Sequence, residues 1–206
     1  MEMYFIIGGA FAFIFLFGLI FAAKQYRRCS SDEVLVIYGK VGGGKVAECL
    51  HGGGKLVIPL IQSSQYLSLT PMSLEIPLKG ALSKENIRVN VPSTFTIAIS
   101  TKPEILQNAA ERLLGLSQEQ ILTQAHNVIL GQLRLVIANM TIMEINTDRD
   151  KFLEAVNQNV GHELAKLGLT LINVNVQDIT DEAGYIAATG KRAAEKALQE
   201  AAVAVA

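Results

Sequence analysis

The chain begins with an uninterrupted apolar run. Every position from Tyr4 to Ala23 is uncharged, and most of them are Phe, Ile or Leu. As a helix, this run would be about 30 Å long, the thickness of the hydrocarbon core of a bilayer. The pattern therefore predicts a transmembrane helix. Its predicted membrane-anchor residues are Tyr4, Phe5, Phe11, Phe13, Phe15, Phe17 and Phe21.

Basic residues follow the apolar run, whereas the only charged side chain before it is that of Glu2. A cleaved signal peptide has its basic residues before a shorter apolar stretch, so the order favours an uncleaved anchor. Basic residues favour the cytoplasmic side, so we expect Lys24, Arg27 and Arg28 to stay there. The protein is then a single-pass protein of the cell (inner) membrane, with its N-terminus outside and its folded domain on the cytoplasmic side. The same three residues are predicted to contact anionic lipid headgroups. Topology signalling alone is the alternative.

Short β patterns come next. Glu33–Tyr38 is an apolar run closed by Gly39, which predicts a buried strand. Leu56–Ile61 predicts another strand. Ile87–Ile99 alternates apolar and polar positions, which predicts a long, half-buried strand in which Pro92 marks a bulge or an edge.

The period becomes helical after Pro103. Ser117 and Gln120 predict a capping box for a second helix. Thr147 is predicted to cap a third helix, which ends at Gly168. The predicted apolar face of the second helix is Leu122, Ala125, Ile129, Leu133 and Val136, and that of the third is Phe152, Val156, Val160, Leu164 and Leu167. A return strand, Leu169–Val176, then completes an α+β fold of antiparallel strands followed by helices.

An alanine-rich helical pattern starts at Asp181. Lys191 with Glu195, and Lys196 with Glu200, form i,i+4 pairs of opposite charge. A helix with so few large apolar groups gains little from packing on its own domain. We therefore expect it to associate with neighbouring copies, or the natural protein to continue beyond it.

The composition and the motifs do not predict catalysis. A net charge of −1 with 18% charged residues gives no broad basic field for nucleic acid. Cys29 and Cys49 are too few for a disulfide framework. Cys29 is placed for juxtamembrane acylation, but an idle thiol is the favoured interpretation.

Two motifs imitate ligand sites. The run from Gly39 to Lys45 satisfies GxxxxGK, but Val46 replaces the magnesium-binding Ser or Thr, and strands flank the run. His162 opens like a zinc-protease motif, but Lys166 stands where the second histidine belongs. We predict no catalytic residue, no metal and no cofactor, and hence a protein that is not an enzyme.

Three stretches resemble the SPFH group (stomatins, prohibitins, flotillins and their bacterial relatives), and its flotillin branch in particular. Met140–Phe152 (MTIMEINTDRDKF) is similar to the family's helix-entry segment. Asp178–Arg192 (DITDEAGYIAATGKR) is similar to the junction that leads into the family's coiled coil. Gly52–Gln62 (GGGKLVIPLIQ) also fits.

The resemblance implies an SPFH-type domain between a transmembrane anchor and a coiled-coil-forming helix. The implied ranges are 4–23 for the anchor, 24–179 for the domain (24–80 for its β-rich part and 81–179 for its α+β part) and 180–206 for the start of the helix. It assigns oligomerisation to the junction and to the charged pairs of the helix. These residues are Gly184, Tyr185, Ile186, Lys191, Glu195, Lys196 and Glu200.

The implied function is a flotillin-like scaffold of many copies. Such a scaffold forms rings or cages on a membrane, organises membrane microdomains and membrane proteins, and works beside an NfeD-type membrane partner. The alternative within the same group is a regulatory subunit that encloses or restrains a membrane protease.

Overall fold

The structure, a computed structural model, describes residues 13, 15–21, 23–40 and 47–205. Residues 15–21 and 23–25 are helical. Four of the predicted anchor residues are described, and their side chains are exposed: Phe13, Phe15, Phe17 and Phe21. The other three lie outside the described residues: Tyr4, Phe5 and Phe11. None of the described helices combines the length and the apolar character that a membrane crossing requires.

The first of two compact units consists mainly of antiparallel strands. Its elements are β1 (Tyr26–Cys29), β2 (Glu33–Gly39), β3 (Ala47–Leu50), β4 (Gly53–Leu56), β5 (Gln62–Ser68) and α1 (Pro103–Arg112). β2 lies between β3 and β5, whereas β1 and β4 form a separate two-stranded ribbon. The predicted buried strand is confirmed, because Val34, Leu35, Val36 and Ile37 of β2 are 0% exposed. Each such side chain stabilises the fold by roughly 1.5–3 kcal/mol.

The residues of the GxxxxGK run connect two paired strands. Gly39 ends β2, and β3 pairs with β2 in antiparallel register, Tyr38 lying opposite Ala47. A phosphate-binding loop instead joins a strand to the N-terminus of a helix. The prediction that strands flank this run is therefore confirmed, and residues 41–46 themselves lie outside the described part of the chain.

The second unit combines a sheet with four helices. Its elements are β6 (Met72–Leu82), β7 (Arg88–Ile99, apart from its last residue), α2 (Gln118–Ala138), α3 (Ile142–Thr147), α4 (Arg149–Leu167), β8 (Leu169–Val176), β9 (Thr180–Asp181) and α5 (Tyr185–Val205). β7 lies between β6 and β8 and also pairs with β9. α2 packs against β6, and α4 packs against α2 and β8. The core of this unit therefore lies between the sheet and these two helices.

The chain passes between the two units more than once. The first unit draws its described residues from Met1–Thr70 and Ile99–Gly115, and the second from Pro71–Ala98 and Leu116–Ala206. This division differs from the predicted one near residue 80. Residues 71–80 belong to the second unit because β6 pairs with β7. α1 belongs to the first unit because it packs against β3.

The prediction of a bulge or an edge at Pro92 was wrong. Pro92 lies opposite Pro77 in the register of β7 and β6, and the register shift falls between Leu78 and Ala81 instead. Two prolines can face each other at a non-hydrogen-bonded pair, because the two residues of such a pair do not exchange N–H···O hydrogen bonds. The Pro92 carbonyl still accepts a hydrogen bond from the N–H of Gln177, at 2.9 Å. A central strand can therefore contain this proline.

The predicted capping box at the start of α2 is confirmed. The Ser117 hydroxyl accepts a hydrogen bond from the Gln120 N–H at 3.3 Å, and the Gln120 side chain accepts one from the Ser117 N–H at 2.9 Å. The buried face of α2 begins at Ile121 and not at Leu122, which is only half-buried. The remaining predicted positions of this face are buried.

Thr147 does not cap a helix, because a short helix that the pattern did not predict ends there. Thr141 caps this helix, α3, in a second capping box with Glu144. Hydrogen bonds from the Thr141 backbone N–H and, to a smaller extent, from the Lys151 ammonium group lower the pKa of Glu144 to about 2. Asp148 caps α4 by accepting a hydrogen bond from the Lys151 N–H at 3.2 Å. α4 ends, as predicted, at Gly168, whose φ is +92°.

Candidate functional site

Three basic side chains lie where the N-terminal helical segment meets the ribbon. Lys24 lies at the end of that helical segment, and Arg27 and Arg28 belong to β1. All three side chains are exposed. Arg27 lies opposite Lys55 of β4, whose charge is compensated by an ion pair with Glu48. Among the described residues, no carboxylate lies within ion-pair distance of the three basic groups. They are therefore available to external anions.

The ribbon is tied to the end of the helical segment. The Gln25 carbonyl accepts a hydrogen bond from the Val57 N–H at 3.1 Å, and Tyr26 lies opposite Leu56. The Tyr26 ring crosses Gly54 so closely that a Cβ on Gly54 would be 2.6 Å from the phenol oxygen. A side chain at position 54 of β4 would therefore require the exposed Tyr26 ring to shift.

An apolar loop, Ile58 to Ile61, follows the ribbon. Ile58, Leu60 and Ile61 are exposed, Leu60 to 92%, and Leu56 just before them is also exposed. Single exposed apolar residues are ordinary, but a contiguous set marks a surface that contacts something apolar. The apolar loop thus presents such a surface beside the basic residues.

Hydrogen bonds hold the apolar loop in place. The Ile58 N–H donates to the Gln62 side-chain oxygen at 3.2 Å, and the Gln62 amide donates to the Lys40 carbonyl at 3.0 Å. The Lys40 N–H in turn donates to the Ile61 carbonyl at 3.0 Å. Gly39 makes this approach feasible, because its φ is +115° and a Cβ there would collide with the Ile61 carbonyl oxygen. The exposed apolar side chains are therefore displayed on a fixed backbone.

Sequence reasoning missed this loop. It assigned Leu56–Ile61 to a strand, but β4 ends at Leu56 and residues 59–61 form a turn. Pro59 was the available signal, because a proline inside an apolar run argues against a strand. The turn is closed by bonds from the N–H groups of Ile61 and Gln62 to the Ile58 carbonyl, at 3.1 and 2.8 Å.

Cys29 is packed and not displayed. It is 8% exposed, and its sulfur lies 3.1 Å from the Glu33 carbonyl oxygen and 3.4 Å from that of Leu50. An acyl chain on this sulfur would require β1 to leave its place. The geometry therefore favours the idle-thiol interpretation of Cys29 over juxtamembrane acylation.

Cys49 and His51 line a cavity of about 210 Å³ in the first unit. Burial raises the pKa of the Cys49 thiol, and the negative charge of the nearby Glu48 carboxylate raises it further. A nucleophilic cysteine needs the opposite shift, because the thiolate is the reactive form. The described residues also contain no group of three or more His, Cys, Asp and Glu side chains that could hold a metal ion. This cavity therefore lacks the features of an activated thiol site.

α5 carries the predicted oligomerisation residues. The Asp181 carboxylate accepts hydrogen bonds from the N–H groups of Tyr185 and Ile186, and Gly184, with φ +69°, makes the turn. Lys196 and Glu200 lie 3.9 Å apart, whereas no ion pair joins Lys191 and Glu195 in the described structure. Between residues 190 and 201, every side chain whose burial is described is exposed. α5 thus starts on a fixed cap and then projects an exposed surface.

The fold defines a mixed α/β domain that ends in a long exposed helix. The chain belongs to the SPFH domain / Band 7 family, which matches residues 27–206. The resemblance to the SPFH group and to its flotillin branch is thereby confirmed.

Flotillins are among the relatives that the chain matches. The chain is 30% identical over 200 residues to the flotillin-like protein FloT of Bacillus subtilis (strain 168), a match that covers 93% of this chain and 39% of that protein. It is 27% identical over 168 residues to human flotillin-1, covering 81% of this chain and 39% of the relative. It is 26% identical over 160 residues to bovine flotillin-2, covering 78% and 37%. The chain thus spans well under half of the length of these relatives.

Proposed function

We propose that this chain is the membrane-proximal part of a flotillin-like scaffold, which oligomerises on a membrane into rings or cages and organises membrane microdomains and membrane proteins. Residues 4–23 form a single-pass anchor with the N-terminus outside, and the SPFH domain lies on the cytoplasmic side. Anionic lipids and an NfeD-type membrane protein are its proposed partners. The relatives' shared identity as flotillins supports this assignment.

The observation that carries the proposal is the apolar loop beside the basic residues. A leucine that moves from water into an apolar phase gains roughly 2 kcal/mol, and Leu60 is almost fully exposed. Each basic residue near an anionic surface adds about 1 kcal/mol. Because Val57 is hydrogen-bonded to Gln25, the loop begins where the N-terminal helical segment ends. Loop, basic residues and anchor then contact one membrane surface together.

The exposed surface of α5 supports the assembly part of the proposal. Isolated helices of this kind are marginal in water, so a long exposed helix gains most of its stability from packing partners. The alanines of α5 permit the close approach of neighbouring helices. The Asp181 cap holds the start of α5 on the domain. Neighbouring copies are the partners that an assembly on a membrane would supply.

Leu60 is expected to contact lipid. In a Cys49→Ser background, Leu60→Cys labelled with a polarity-sensitive dye should show a blue-shifted emission in anionic vesicles and strong quenching by brominated lipid. The reason is that a side chain exposed on a fixed loop beside the anchor enters the acyl region. The measurement is dye emission of the full chain reconstituted in vesicles, with and without brominated lipid.

Ser68→Cys, labelled in the same way, is the matched control, because Ser68 is also exposed in the first unit but lies at the opposite end of β5 from the apolar loop. Its label should remain unquenched. A label at position 60 that stays as water-exposed as the one at position 68 would refute the membrane contact of the apolar loop.

Removal of α5 is expected to dissolve the assembly. The full chain, extracted in mild detergent, should have the mass of a particle of many copies, and the chain without residues 181–206 should fall to a few copies or one. Mass photometry of both proteins measures this. A full chain that is monomeric or dimeric at working concentration would contradict the scaffold proposal.

A further inference from the structure

Bulky apolar side chains leave the first unit together, from one short loop. Ile58 is 44% exposed, Leu60 92% and Ile61 48%, and Pro59 between them is exposed as well. Four consecutive exposed apolar residues form a broad wedge and not a single plug. Anything that covers the apolar loop must therefore open over the width of the whole loop.

The backbone of the apolar loop does not allow this wedge to narrow. The Ile58 carbonyl accepts hydrogen bonds from the N–H groups of Ile61 and Gln62, at 3.1 and 2.8 Å, which closes the turn. The ring of Pro59 fixes its φ, and the Ile61 carbonyl accepts the Lys40 N–H at 3.0 Å. The side chains can change rotamers, but the loop cannot insert one of them and withdraw the others.

The position of the wedge relative to the anchor is also fixed. Val57, directly before the apolar loop, is buried in the core of the first unit, and its N–H donates to the Gln25 carbonyl at 3.1 Å. The loop is thus held near the end of the N-terminal helical segment, beside the exposed basic side chains of Lys24, Arg27 and Arg28. Because charged groups stay among the lipid headgroups, the wedge reaches only the boundary between headgroups and acyl chains, about 5–10 Å deep.

At this depth, the packing of the lipids decides whether a rigid wedge can enter. A flexible loop fills small gaps with one side chain at a time, whereas the apolar loop needs a gap as wide as all of its side chains together. Unsaturated acyl chains are kinked and leave such gaps between the headgroups, and saturated chains packed with a sterol close them. Shallow apolar insertion depends on lipid composition for this reason.

We infer that the apolar loop enters bilayers of loosely packed, unsaturated lipid and stays outside bilayers of tightly packed, saturated lipid. The inference rests on the proposed membrane contact of this chain, and it specifies the class of lipid that the contact selects. The basic residues attract anionic headgroups in either kind of bilayer, so different parts of one surface recognise charge and packing. In a mixed membrane, this chain is then most stable where the lipids are unsaturated.

The water accessibility of a label at position 60 tests the inference. Leu60→Cys in the Cys49→Ser background is labelled with a dye, and the full chain is reconstituted in two kinds of vesicle. One contains dioleoyl phosphatidylcholine and dioleoyl phosphatidylglycerol, and the other contains the dipalmitoyl forms of both lipids with cholesterol, at the same molar fraction of phosphatidylglycerol. Flotation first shows that both membranes contain the chain. The quenching constant for acrylamide, a water-soluble quencher, should be about fivefold higher in the dipalmitoyl vesicles.

Labels at other positions test whether the apolar loop enters as one body. Ile58→Cys and Ile61→Cys should show the same difference as Leu60→Cys, because they share its fixed backbone. Ser68→Cys, exposed at the opposite end of β5, should have the same quenching constant in both kinds of vesicle. A difference at position 68 as large as that at position 60 would show that the whole unit shifts with the bilayer, and would overturn the inference.

The possible results separate the selection of lipid from the membrane contact itself. A label at position 60 that is equally protected in both kinds of vesicle would overturn the selection and leave the contact intact. A label that is equally accessible to acrylamide in both would overturn the selection and the contact together. Protection in the dioleoyl vesicles alone, with position 68 unchanged, supports the inference.

Discussion

Phe95→Ala is expected to lower the free energy of unfolding of the second unit by about 4 kcal/mol. Phe95 lies in β7, opposite Leu74 of β6, and is 0% exposed. Truncation removes the buried ring and leaves a cavity, because a close-packed interior relaxes only partly around the missing atoms. Thermal unfolding followed by circular dichroism should show a midpoint lowered by about 10 °C.

Leu135→Ala is the control for this substitution. Leu135 belongs to the same unit but is 51% exposed on α2, so its truncation should change stability by about 0.5 kcal/mol or less. A Phe95→Ala protein that melts within about 2 °C of the wild type would contradict the assignment of Phe95 to a tightly packed core.

Gly39→Ala is expected to destabilise the first unit by about 3 kcal/mol and to displace the apolar loop. Two effects add at this position. Its φ of +115° is unfavourable for any residue with a Cβ, and that Cβ would collide with the Ile61 carbonyl oxygen. This carbonyl also accepts the Lys40 N–H, so relief of the collision breaks a hydrogen bond that holds the loop. Urea denaturation measures the stability, and the quenching of a label at position 60 measures the loop.

Gly52→Ala separates the two effects. Gly52 also has a positive φ, +78°, but a Cβ there would meet nothing within 4 Å. It should therefore cost about 1 kcal/mol and leave the loop where it is. Equal losses for the two variants would show that the collision at Gly39 contributes nothing.

Local signals predicted the helix ends well. The Ser117–Gln120 capping box and the left-handed Gly168 are both decided by a few neighbouring residues, so the sequence contains all the information they need. The same kind of signal was present at Thr141 and Glu144 but was overlooked, and α3 was missed with it. The first four predicted positions of the apolar face of α4 are buried, because an apolar stripe that repeats every three or four residues faces a core, whereas Leu167 at the end of the helix is only half-buried.

Features set by pairing across the chain were harder to predict. Pro92 suggested a bulge or an edge, and only the strand pairing shows that it lies in a central strand, where its carbonyl still accepts a hydrogen bond from the Gln177 N–H. Pro59 argued against a strand over Leu56–Ile61, but the hydrogen bonds that turn this run into an exposed loop come from Lys40 and Gln62, outside the run. α3 packs against α5, and no residue pattern predicts this contact, because it joins segments that lie far apart in the chain.

The interleaved connectivity of the two units has a consequence for synthesis at the ribosome. The first unit needs residues 99–115, which emerge only after the whole of 71–98 has been made. Neither unit can mature as a contiguous piece behind the leading apolar segment, so a nascent chain halted near residue 80 contains two incomplete halves. Shortened versions of this protein that stop between residues 71 and 115 should accordingly be recognised by quality-control proteases as unfinished.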